Sequence, residues 1–171
     1  MKKPKIFIAC DTNKISEVKR IITNTNTSKL EIVYKFGLEF FYSREIKATF
    51  FILGSVALKF KNLIKKIEHN GHEISSHGFS HRLNYELSYK DLKNDIRNSK
   101  NILEDISQTK VLGYRAPCFS VEDRLFEILN QLDFLYDSSL NLSSLNSRYG
   151  TLSNIKNNNC SPFFLDKYNL F

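Results

Sequence analysis

The sequence predicts an α/β fold in which parallel strands alternate with helices. Three observations predict it. Short apolar runs recur with single amphipathic segments between them, the runs are rich in β-branched and aromatic residues, and polar residues collect where the runs end. Strands separated by single helices pair in parallel, with the helices covering the sheet.

The elements follow in order. IFIAC (6–10) reads as a short buried strand, and residues 14–23 as a helix with Ile15, Val18, Ile21 and Ile22 on one face. EIVYKF (31–36) and KATFFIL (47–53) read as strands, the second bounded by Gly54. Phe60, Leu63, Ile64 and Ile67 repeat at helical spacing, and Asn70-Gly71 ends that helix. HEI (72–74) is a short strand. Ser88 with Asp91 opens a helix whose buried stripe runs through Leu92, Ile96, Ser99, Leu103 and Ile106. KVLGY (110–114) is a strand, Leu125, Ile128, Leu129 and Leu132 mark the next helix, and FLYDSS (134–139) is another strand. The Asn-rich stretch 143–162 reads as loop. One spacing is awkward. Only residues 37–46 separate EIVYKF from KATFFIL, whereas a parallel crossover usually takes roughly a dozen residues or more. Either that segment is a cramped helical turn or the two strands are not neighbours.

The chain has 171 residues, 42% hydrophobic and 13% aromatic, with fourteen Phe, enough for the core of one domain or of one domain plus a fragment. Its net charge of +7 comes from lysines spread between apolar positions, as in LKFKNLIKKIEHN (58–70), which is the pattern of a solvated helix face. No clustered basic stripe with interleaved aromatics is present, so a nucleic-acid partner is not expected. The three cysteines, Cys10, Cys118 and Cys160, are odd in number and far apart and imply no disulfide framework. The apolar run at the N-terminus is too short for a signal peptide, and no stretch has the length of a membrane span. A reduced, soluble, cytoplasmic protein is expected.

Polar residues fall on one edge of this fold. Asp11 follows IFIAC, Ser75 to His81 follow HEI, Arg115 and Pro117 follow VLGY, and Asp137 to Ser139 follow FLY. Each group sits at the carboxyl end of a predicted strand, the edge where ligands bind in barrels and open sheets of this class. His77 and His81, two of only four histidines, stand four apart. Such a pair can converge on one ion, or cap and decorate a turn. A catalytic zinc takes three protein ligands, so a metal site would need a carboxylate from elsewhere.

ATFFILG, GHEISSHGFSH, GYRAPCFS and DFLYDSS, in this order, resemble the motifs of the polysaccharide deacetylase family over about residues 45 to 155. The resemblance implies a distorted, incomplete (β/α) barrel that hydrolyses N-acetyl groups on a sugar polymer with one divalent metal, usually Zn2+. It implies His77 and His81 as metal ligands, Asp11 as catalytic base and Arg115 as the residue that holds it. Pro117 shapes the Arg-Ala-Pro turn, and Asp137 belongs to a motif lining the substrate groove. An N-acetylated carbohydrate is the implied substrate, and a protonated histidine the implied acid toward the departing amine.

The sequence departs from that family in two places. The acidic residue expected beside Asp11 is replaced by Thr12 or Asn13, and no histidine follows His81. The first 44 residues, PKIFIACDTNKISEVKRII and YKFGLEFFYS, are similar instead to the opening of orotidine 5'-monophosphate decarboxylase, with Asp11 and Lys35 at its substrate-contacting positions. That family's Asp-x-Lys-x-x-Asp signature is met only by DLKND (91–95), one residue short and on a helix where its charges are expected to face water. The chain is thus expected to join a decarboxylase-like segment, 1–44, to a truncated deacetylase segment, 45–171. Two alternatives stand beside the deacetylase: a non-catalytic metal- or glycan-binding remnant, and a decarboxylase-like nucleotide binder. A barrel ending before its last strands leaves open edges, with Phe163, Phe164 and Phe171 short of partners, so self-association is expected.

Overall fold

Among the described residues, five strands form one parallel sheet in sequence order: β1 (Ile6–Ala9), β2 (Ala48–Ile52), β3 (Glu73–Ser76), β4 (Gly113–Tyr114) and β5 (Tyr136–Asp137). The computed structural model describes residues 6–9, 37–39, 41–141, 150, 165–166 and 170. The segments 14–23, EIVYKF, 143–149 and 151–162, with Asp11, Lys35, Phe163, Phe164 and Phe171, lie outside the described residues. β1 pairs directly with β2, Ile6 opposite Ala48 through Ala9 opposite Phe51. The other edge of β2 is taken by β3, so the boundary near residues 43–47 does not divide two sheets. Residues 37–39 and 41–43 just before β2 are helical, the cramped turn that the short spacing left open.

Beyond that turn, the described residues form α1 (Gly54–Lys59), α2 (Lys61–His69), α3 (Tyr89–Ser107) and α4 (Asp123–Gln131). The sequence marks α2, α3 and α4 by their apolar period and misses α1. There Gly54, read as a strand terminator, is the first helical residue. It is a glycine for space: a Cβ there would lie 2.9 Å from the Ser99 Cα and 2.8 Å from the Phe79 ring. α1 and α3 therefore approach closely, over the loop that follows β3. Ser88 caps α3 as its position predicts, its Oγ accepting the Asp91 amide and donating to the Asp91 carboxylate. The buried stripe of α3 is Leu92, Ile96, Ser99, Leu103 and Ile106, and it packs on α1, α2 and β3. Each fully buried Leu or Ile there contributes roughly 1.5–3 kcal/mol over exposure. β3 begins at Glu73, one residue later than HEI predicts, which leaves His72 in the turn beside Phe41 and Phe50.

The register aligns the strand ends. Ile52 pairs with Ser76, Ser76 with Tyr114, and Tyr114 with Asp137. The residues that follow, His77, Arg115 and Ser138, therefore leave the sheet on one edge, as the pattern of polar residues predicts. Below them Thr49, Phe51, Glu73 and Ser75 share one face of the sheet. The Tyr136 hydroxyl donates to Glu73 Oε1 (2.6 Å) and Thr49 Oγ1 donates to Glu73 Oε2 (2.8 Å). Burial and that carboxylate push the Tyr136 phenol well above its ordinary range. Among the described residues no helix is long and apolar enough to cross a membrane.

Candidate active site

His77 is fixed before any ligand arrives. Its amide donates to the Ile52 carbonyl (3.0 Å) and the residue is 3% exposed. Its Nδ1 lies 2.7 Å from the backbone oxygen of Arg115. A carbonyl oxygen only accepts, so Nδ1 carries the proton and Nε2 presents its lone pair. This is how a metal-ligating histidine is oriented by a second group.

His81 lies one tight turn further on, with ring centroids 5.2 Å apart and planes at 67° to His77. Its Nε2 is shielded from solvent. The turn bends through Gly78 at φ +79 and closes with His81 itself at φ +59. A left-handed conformation costs a non-glycine residue roughly 1–3 kcal/mol and persists only where its surroundings enforce it. The amides of Gly54 and Ser55 in α1 donate to the carbonyls of Gly78 and Phe79 (3.0 and 3.3 Å). From the other side Asp95 of α3 accepts the amides of Phe79 (2.6 Å) and Ser80 (3.2 Å) and the Ser80 hydroxyl (2.6 Å). For Asp95 this corrects the expectation that the charges of DLKND face water, while Asp91 is exposed as expected. Asp95 sits three residues after Leu92 and four before Ser99, so it lies on the flank of the buried stripe. A carboxylate there was the signal that sequence reasoning passed over.

The Arg-Ala-Pro turn forms the facing wall. The Arg115 amide donates to the Ser76 carbonyl (2.9 Å), and Pro117 opens a 3-10 turn, Pro117–Phe119, in which Cys118 and Phe119 have φ +50 and +53. Pro117 is buried, its Cγ 3.8 Å from where a Cβ on Gly78 would stand, so the two loops abut. The Arg115 guanidinium is not turned outward. Its Nε donates to the Ser138 carbonyl (3.0 Å), Nη2 to the Ser138 hydroxyl (2.5 Å), and its plane lies 4.5 Å over the Phe51 ring. Burial lowers its pKa from the ordinary value while the Asp137 charge opposes the change.

Asp137 does its described work within its own loop. Its oxygens accept the Ser139 hydroxyl (2.6 Å) and amide (2.8 Å), and Ser139 Oγ accepts the amide of Ala116 (2.7 Å). The carboxylate thus braces the Arg-Ala-Pro turn through a serine. Burial pushes its carboxyl up to about 6, against the hydrogen bonds from Ser139 and the attraction of Arg115.

The structure brings His77, His81, Arg115 and Pro117 together at one edge, with Asp137 bracing them. Asp11 lies outside the described residues. β1 ends at Ala9, opposite Phe51, which is opposite Ser75. That puts the carboxyl end of β1 on the edge that carries His77. Among the described residues no third histidine, cysteine or carboxylate joins the imidazole pair.

Comparison with known proteins agrees with this layout. The polysaccharide deacetylase family model matches residues 27–136, beginning inside the segment that resembles the decarboxylase. The chain is 29% identical over 103 residues to the peptidoglycan deacetylase of Helicobacter pylori, covering 60% of this chain and 35% of that protein. It is 38% identical over 74 residues to the peptidoglycan-N-acetylglucosamine deacetylase of Bacillus cereus, covering 43% of this chain and 25% of the relative. The crystal structure of a candidate polysaccharide deacetylase from Mycobacterium smegmatis superposes with a TM-score of 0.64 at 21% identity, over 80% of this chain and 51% of that one. The matched part of this chain therefore spans about a quarter to a third of those curated relatives. Strand order, the histidine turn and the family match over most of the chain lead to one assignment: the chain belongs to the polysaccharide deacetylase family.

Proposed function

We propose that this chain carries the metal-binding side of a hydrolase that removes N-acetyl groups from a sugar polymer or its precursor. The observation that carries the proposal is the convergence of His77 and His81, with the His77 tautomer set by the Arg115 carbonyl. Two neutral imidazoles suit zinc and its neighbours, and the lone pair of His77 Nε2 is already aimed away from the backbone. His77 and His81 would hold the ion, with a third ligand expected from Asp11 or Asn13. A divalent cation bound there supplies Lewis acidity toward an acetamide carbonyl and toward water.

The chain's own residues supply the rest. Asp11 is the expected base, taking a proton from the attacking water. Arg115 keeps a half-buried positive charge on the loop whose backbone orients His77, where charge acts more strongly than in bulk water. Its described hydrogen bonds go to Ser138, so it holds the β5 loop. Pro117 and Asp137 set the wall against which a sugar would lie.

The second reading is a binding remnant. Thr12 and Asn13 stand where the second acidic residue is expected. One experiment separates the two. Cobalt or zinc is expected to bind at about one equivalent, and His77→Ala to abolish it. With metal saturated, an N-acetylated oligosaccharide is expected to release free amine. Binding without amine release selects the remnant, and absence of binding removes the enzyme.

A further inference from the structure

We infer that Asp95 is a positioning residue for the second imidazole, acting on His81 through the backbone of the turn that bears it. This rests on the reading of His77 and His81 as metal ligands. The two histidines reach the site by different means. His77 directly continues β3, and its ring is set by the carbonyl of Arg115. His81 lies beyond a turn that no strand carries, at a φ of +59 that its own side chain disfavours. Something outside the turn must hold it there.

Asp95 meets that requirement. It approaches from α3, a 19-residue helix anchored by five buried stripe residues, so the carboxylate is delivered from a rigid element. One oxygen takes the Phe79 amide, and the other takes both the amide and the hydroxyl of Ser80. Three donors on two carboxylate oxygens immobilise the two residues immediately before His81. Charge-assisted bonds of this kind are shorter and stronger than neutral ones. Gly78 fits the same arrangement: a Cβ there would stand 3.0 Å from Asp95 Oδ2 and in a left-handed conformation. The carboxylate thus lies where only a glycine turn can pass. An amide in its place keeps one acceptor oxygen and exchanges the other for a donor group, which faces an N–H instead of accepting it.

The test compares the wild-type protein with Asp95→Asn and Asp95→Glu in three measurements. In metal-free protein, hydrogen exchange at the Phe79 and Ser80 amides is expected to accelerate in Asp95→Asn and to remain slow in Asp95→Glu. Cobalt titration, followed by its visible absorption, is expected to show an affinity about 10- to 100-fold weaker in Asp95→Asn and largely recovered in Asp95→Glu. Thermal melting identifies the folded fraction, so the affinity is read from folded protein alone. Unchanged cobalt affinity in folded Asp95→Asn overturns the positioning role and leaves the metal reading standing. Unchanged amide exchange overturns the clamp itself. A wild-type protein that binds no cobalt removes the metal reading, and the role of Asp95 falls with it.

Discussion

The two loops that meet at this edge are alike in position and unlike in what holds them. Both leave the sheet at the carboxyl ends of neighbouring strands, β3 and β4, and both contain non-glycine residues at positive φ. The histidine turn is held by an acidic side chain from a long helix and by backbone ties to α1. The Arg-Ala-Pro turn has one backbone tie, from the Arg115 amide to Ser76, and is otherwise held largely by hydroxyls: Ser139 takes the Ala116 amide, Ser120 Oγ donates to the Pro117 carbonyl, and Asp137 braces the Ala116 amide through Ser139. The loop carrying the proposed ligands therefore has the stiffer support. The facing wall depends on a short relay of neutral donors with one carboxylate behind it.

Breaking each support in turn sharpens the contrast. The largest effect on stability is expected from Gly78→Ala. It places a side chain at φ +79 and 3.0 Å from Asp95 Oδ2, and the destabilisation should reach roughly 2 kcal/mol or more by denaturant melting. Ser139→Ala comes next. It removes the acceptor of the buried Ala116 amide and releases Asp137, at a cost of roughly 1–3 kcal/mol, with little change in metal affinity.

The last effect is a pH dependence confined to the Arg-Ala-Pro side, spread over about two pH units. The carboxyl of Asp137 sits at about 6 in the folded protein, above its ordinary value of 3.8. Between those two values the folded state keeps a proton that the unfolded state has released. Stability should therefore fall as pH rises from about 4 to about 6 and level off above, by at most roughly 3 kcal/mol. Melting curves of metal-free protein at several pH values, compared with Asp137→Asn, isolate this contribution. The slope should disappear in the variant.

Much of this arrangement was legible in the sequence. The strand at Ala48–Ile52 and the helices α2, α3 and α4 announce themselves because apolar residues recur at the period each element buries. Polar residues after apolar runs placed His77, Arg115 and Asp137 on one edge, because parallel connections of one hand align strand ends. β4 and β5 each pair over only two residues, too few for alternation to show where KVLGY and FLYDSS enter the ladder. α1 was hidden by Gly54, whose reason is the approach of α3, a contact far away in sequence. Asp95 was passed over for a related cause. A charged residue on a helix flank looks solvated until the fold brings a turn against it. The work of Asp137 was missed in kind, since its partner is the nearby Ser139 and its effect is felt at Ala116.

The conformation of His81 has a consequence for anyone altering this chain. A glycine would occupy φ +59 with less strain than an imidazole does, so the fold and the chemistry pull that position in opposite directions. Selection for thermostability in metal-free buffer would favour discarding this histidine early. Variants improved in that way would keep the architecture and lose half of the proposed ligand pair.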